Sequence, residues 1–108
     1  MKMTHKCACL LLITSCLAAC MSDQQFLAQN QSAAIDATVS RAKFELNCPD
    51  VTASVLSSKV TQVQFANVSN RTEYTIGVRG CGRQAVYITY CLDPSTCNAI
   101  SDTARVTE

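Results

Sequence analysis

The sequence predicts an α+β domain, one N-terminal helix packed on a small antiparallel sheet and stapled by disulfides. Three observations carry this. Apolar residues recur at helical spacing from Ser32 until Pro49 stops them. From Val51 to Ile100 the period switches to two, broken by Gly, Asn, Asp and Pro. Four cysteines, Cys48, Cys81, Cys91 and Cys97, are spread along that region.

In the helix, Ile35, Val39, Ala42 and Leu46 share one face, with Asp36, Ser40, Arg41 and Lys43 elsewhere. Proline disfavours helical geometry in the residue before it, so Pro49 ends the helix near Asn47–Cys48. Beyond it, Val51, Ala53 and Val55 alternate with Thr52, Ser54 and Leu56 as a first strand, and Val60, Val63 and Phe65 suggest a second, less regular one. The run from Asn67 to Arg71 reads as a loop. Tyr74, Ile76 and Val78 then alternate up to the break Gly80-Cys81-Gly82. Ala85 to Cys91 resumes with Val86, Ile88 and Tyr90 on one face. Asp93-Pro94 turns the chain into a short return strand from Cys97 to Ile100.

Ahead of the helix, Lys2 and Lys6 form a basic n-region, and the eleven residues Cys7 to Leu17 are apolar and uncharged. A helix needs roughly 20 residues to cross a bilayer, so this length suits an export signal instead. Leu17-Ala18-Ala19-Cys20 then resembles the lipobox of bacterial lipoproteins. That resemblance implies diacylation of the Cys20 thiol, cleavage just before it and acylation of the new amine. Two or three acyl chains hold a protein to a membrane stably where one does not. Ile13-Thr14-Ser15-Cys16 is a looser match behind a shorter apolar run, and Cys20 is preferred. Residues 1–19 are thus expected to be a signal peptide, 20–31 a lipidated tether and 32–108 the domain. Ser22 with Gln25 could form a capping box, making the tether partly helical. Lipoproteins with Asp after the cysteine tend to stay at the inner membrane. Met21 stands there, so the resemblance implies an outer-membrane anchor facing the periplasm.

Composition narrows the chemistry. The only histidine, His5, precedes Cys20, and the chain has no tryptophan. Residues 20–108 therefore cannot build Ser-His-Asp or Cys-His catalysis, a histidine metal site or a histidine general base. Asp36, Glu45, Asp50, Glu73, Asp93 and Asp102 are scattered singly and read as solvated surface. Beyond Cys20 seven Lys/Arg stand against eight Asp/Glu, a near-neutral balance that points to no nucleic acid. Arg79 and Arg83 flank Gly80-Cys81-Gly82, which reads as a tight turn needing positive φ in preference to an anion-binding nest. We expect no enzyme, no catalytic residue, no cofactor and no metal.

Export places the cysteines in an oxidising compartment, where pairing is expected. The separations of 33, 10 and 6 residues contain no C-x-x-C knuckle, which argues against zinc. If Gln84 to Cys91 is a strand, Cys81 and Cys91 lie about 30 Å apart, and Cys97 sits beside Cys91 at the far end. A disulfide needs Cα atoms within about 7 Å. That leaves Cys91–Cys97 across a turn, and Cys48–Cys81 tying the helix end to the Gly-Cys-Gly turn.

Phe44-Glu45-Leu46-Asn47-Cys48-Pro49, followed by Tyr74-x-Ile76-x-Val78-x-Gly80-Cys81-Gly82-x-x-Ala85-x-Tyr87, resembles a group of small bacterial lipoproteins. They share a helix ending in Cys-Pro and a strand running into Gly-Cys-Gly. The resemblance supports the fold and the cysteine roles and carries no functional residues. The function expected is a membrane-anchored, non-catalytic envelope module that binds a protein or glycan partner or supports an assembly. The alternative is a periplasmic inhibitor of a hostile enzyme such as lysozyme.

Overall fold

The computed structural model describes residues 21–62 and 70–102. One helix, α1 (Asp23–Glu45), is followed by four strands: β1 (Thr52–Thr61), β2 (Arg71–Gly80), β3 (Arg83–Asp93) and β4 (Thr96–Ser101). The strands form one antiparallel sheet in the order β1-β2-β3-β4. The helix lies on one face and touches all four. At 1.5 Å per residue it is about 34 Å long, matching a ten-residue strand. The expected α+β fold, helix on sheet with two disulfides, is what the chain adopts.

Both ends of α1 follow from local chemistry. Ser22 is the N-cap: its hydroxyl accepts from the Gln25 amide at 3.2 Å, and the Gln25 side chain accepts from the Ser22 amide at 3.0 Å. This capping box satisfies two amides that have no carbonyl partner in the first turn. The helix thus starts at Asp23, ahead of the expected Ser32, and the segment read as a tether supplies its first turns. At the other end Asn47 is left-handed, with φ 48°. Its amide donates to the Phe44 carbonyl at 3.2 Å and the Cys48 amide to the Lys43 carbonyl at 3.0 Å. This is a Schellman ending. Arg83 donates to the Leu46 carbonyl, so a side chain from the sheet helps to close the helix.

The buried stripe of α1 is Asn30, Ala34, Thr38 and Ala42, continued by Leu46. The expected face was Ile35, Val39, Ala42 and Leu46. Ala42 and Leu46 belong to the core, while Ile35 and Val39 are half-buried flanks. The rotation has a steric cause. Small side chains line the contact, and the sheet fills the space beneath with Tyr74, Ile76, Val78 and Tyr87, all buried. Most of the buried polar atoms are tied across the interface, with Asn30 Oδ1 left without a partner among the described residues. Asn30 Nδ2 donates to Thr72 Oγ1 at 3.0 Å, and Thr72 Oγ1 donates to the Cys91 carbonyl at 3.1 Å. Thr38 Oγ1 lies 2.7 Å from the Ala34 carbonyl and 2.6 Å from Thr89 Oγ1. Such pairing offsets the desolvation of groups that would otherwise weaken a core.

In the sheet, β1 is one ten-residue strand with a bulge between Val55 and Ser57. Val60 belongs to it; Val63 and Phe65 lie outside the described residues. The extra residue at the bulge, Leu56, goes to the solvent side. β3 buries Ala85, Tyr87, Thr89 and Cys91, so Val86, Ile88 and Tyr90 face away from the helix. The β4 edge is partly covered: Arg41 of the helix donates to the Ala99 carbonyl.

Candidate functional site

The cysteine framework comes first because it fixes the rest. Cys48 and Cys81 are joined with Cα atoms 5.9 Å apart, and Cys91 and Cys97 with Cα atoms 4.1 Å apart. Both pairings are those expected. Cys91 and Cys97 face each other in the β3–β4 register. The turn beyond them is shaped by Asp93, whose carboxylate accepts from the Ser95 amide at 2.8 Å. Cys20, the expected lipidation residue, lies outside the described residues.

Gly80-Cys81-Gly82 is the β2–β3 hairpin turn, closed by the pair Gly80–Arg83. A two-residue hairpin of this kind needs positive φ at both central positions. Cys81 has φ 53° and Gly82 φ 75°. Gly82 supplies that conformation without a steric penalty. Gly80 has a different reason. A Cβ there would lie 2.8 Å from both the Asp50 carbonyl oxygen and Val51 Cγ1, and 3.0 Å from Cys48 Sγ. The chain leaving the helix crosses against Gly80 to reach Cys81. Arg83 is committed to the helix carbonyl, so the turn reads as a structural clasp.

Besides Asp93, the carboxylates of Glu45 and Glu73 have structural partners. Glu45 accepts from the Tyr87 hydroxyl at 2.7 Å and from Arg41 Nε at 3.2 Å. Burial first, then the hydrogen bond to Glu45, raises the Tyr87 phenol well above the ordinary tyrosine range. Burial also raises Tyr74, against the lowering effect of the Thr72 hydroxyl. The Tyr74 hydroxyl donates to the Leu27 carbonyl. Glu73 sits opposite Lys59 on the sheet, at 3.5 Å.

The surface that fold and sequence leave unaccounted for is the outer face of the sheet. Its cross-strand rows are Ser54–Gly77–Val86, then Ser57–Thr75–Ile88–Ile100, then Lys59–Glu73–Tyr90–Asn98. A solvated face of an antiparallel sheet ordinarily alternates to polar residues. Here the β3–β4 half carries Val86, Ile88, Tyr90, Leu92 and Ile100, with Leu92 and Ile100 each 46% exposed. At the β1–β2 half, Leu56 lies over Gly77, and a hollow of about 520 Å³ there reaches Arg79 and Gln84. A second hollow, about 510 Å³, lies between Arg71, Tyr90, Leu92, Asn98 and Ile100. Arg71 stacks there on Tyr90, its guanidinium carbon 4.1 Å from the ring centroid. The alternation Val86, Ile88, Tyr90 was legible in the sequence. Its outward orientation follows from Tyr87 and Cys91, which take the core side of β3.

No family model, curated protein or solved structure matches this chain. No helix among the described residues is long and apolar enough to cross a membrane.

Proposed function

We infer that this chain is a lipid-anchored bacterial envelope lipoprotein whose domain is a non-catalytic binding module. The anchor is Cys20, and the setting is the periplasmic side of the outer membrane. One observation carries the binding part of the reading. Among the described residues the helix packs on one face of the sheet only, and the other face bears an apolar cluster on β3 and β4 where polar residues would be expected. Exposed apolar surface of this kind is the usual signature of an interaction site. The two disulfides and the Glu45–Tyr87 and Arg83–Leu46 links support the same reading. They hold the sheet rigid, which limits the ordering cost of binding.

The test is crosslinking in intact cells. A photo-crosslinking residue replaces Thr75, in the middle of the outer face, or Gln31, exposed on the helix. The reading predicts one dominant envelope partner captured from Thr75 and not from Gln31. Capture from Gln31 alone would contradict it. A purified protein that slows lysozyme at micromolar concentration would redirect it to the inhibitor class.

A further inference from the structure

Arg71 opens β2 on the outer face and faces Thr61 in register. Its Nε is buried and has no acceptor among the described residues. The acid two residues along, Glu73, is engaged by Lys59 at 3.5 Å and by Thr61 at 3.5 Å. A guanidinium nitrogen removed from water with nothing to donate to is costly. Nε itself is sealed from solvent, so an anion from outside meets the Nη1 and Nη2 end of the guanidinium, which has no acceptor among the described residues. The Tyr90 ring beneath fixes the plane of the guanidinium. A fixed planar fork suits a carboxylate, which it can bind through two parallel hydrogen bonds.

The walls of the hollow specify the rest of the ligand. Leu92 and Ile100 supply apolar surface beside the cation, and Asn98 and Thr96 supply hydrogen-bonding groups at the margin. About 510 Å³ falls in the range of small-ligand sites and has room for the last few residues of a polypeptide. We propose that the Arg71–Tyr90 hollow binds the C-terminal residue of a partner polypeptide, its carboxylate on Arg71 and its apolar side chain against Leu92 and Ile100. A fatty acid shares the carboxylate, but its long chain would outrun the two apolar walls and leave Asn98 and Thr96 without a role. This proposal rests on the outer-face reading and names the chemistry of the partner at one end of that face.

The experiment is an NMR titration of the ¹⁵N-labelled full-length protein in neutral-detergent micelles. The probes are acetyl-Gly-Gly-Leu with a free carboxylate, the same peptide as its C-terminal amide, and hexanoate. The expected result is saturable shifts at Arg71, Tyr90, Leu92 and Ile100 with the free peptide in the millimolar range. The amide should bind at least tenfold more weakly, and hexanoate more weakly than the free peptide. Arg71→Gln should lose at least tenfold affinity with an unchanged melting temperature, and Arg71→Lys should lose less. No saturable shift, equal binding of acid and amide, or tighter binding of hexanoate would overturn the proposal. The outer-face reading is separated by repeating the Thr75 crosslink with Arg71→Gln. Undiminished capture there sinks the carboxylate site and leaves the face standing.

Discussion

The hydroxyls of Thr38 and Thr89 lie 2.6 Å apart in the middle of the helix–sheet contact, both fully buried. Thr38 donates its one proton to the Ala34 carbonyl, so Thr89 donates to Thr38, and removing Thr38 leaves the buried Thr89 hydroxyl short of its acceptor. Thr38→Val and Thr89→Val should each cost about 1–3 kcal/mol. The double variant should cost less than their sum by about 1 kcal/mol, because both polar groups then leave together. Urea unfolding of the four proteins checks the coupling; strict additivity would show that the contact is not formed.

The Tyr87–Glu45 bond ties the last helical turn to β3 at 2.7 Å. The fold holds the phenol neutral, with its ionisation raised by burial and by Glu45. In the unfolded chain a tyrosine ionises near pH 10, so above that pH unfolding releases a proton. The stability tied to the neutral phenol is complete below about pH 10 and is lost as pH rises through the higher folded value. Tyr87→Phe should therefore lower stability at pH 7 by about 1 kcal/mol and flatten the decline above pH 10. A parallel decline in both proteins would exclude Tyr87 as its source.

The two glycines around Cys81 should differ. At Gly80 an added methyl meets backbone and the disulfide, so Gly80→Ala should cost the larger amount, about 2–3 kcal/mol. At Gly82 there is open space, and the cost is only that of positive φ, about 1 kcal/mol. Among the disulfides, chain entropy gives about 4 kcal/mol for the 33-residue loop and about 2 for the 6-residue loop. Cys48→Ala/Cys81→Ala should thus melt lower than Cys91→Ala/Cys97→Ala. Thermal unfolding of all four variants ranks them.

Much of this was legible before any coordinates. Cysteines at opposite ends of one strand cannot bond, and with Cys97 placed beside Cys91 at the far end that leaves only Cys48–Cys81 and Cys91–Cys97. The capping box at Ser22 and the stop at Pro49 likewise follow from chemistry within a few residues. What escaped was set by partners far along the chain. Ile35 and Val39 look like core residues. The sheet instead offers Thr72 and Thr89, which select Asn30 and Thr38 on the adjoining face. The β1 bulge leaves no local mark, since Leu56 interrupts no alternation until β2 fixes the register. The Arg71–Tyr90 pair joins residues on neighbouring strands, and no spacing signals it.

Lipidation is tested by replacing Cys20→Ser and growing cells with a fatty-acid analogue. The label should disappear from the protein and the signal should remain uncut. Label that persists would move the anchor to Cys16.

The most direct measurement compares two surfaces. Phe44, 84% exposed near the helix end, is the rival apolar contact; Ile100 represents the outer face. The Thr75-captured partner is quantified in cells carrying Ile100→Asp or Phe44→Asp, with the melting temperature of each protein measured alongside. The account predicts at least a tenfold loss of capture for Ile100→Asp at unchanged melting temperature, and full capture for Phe44→Asp. Loss with Phe44→Asp and retention with Ile100→Asp would contradict it.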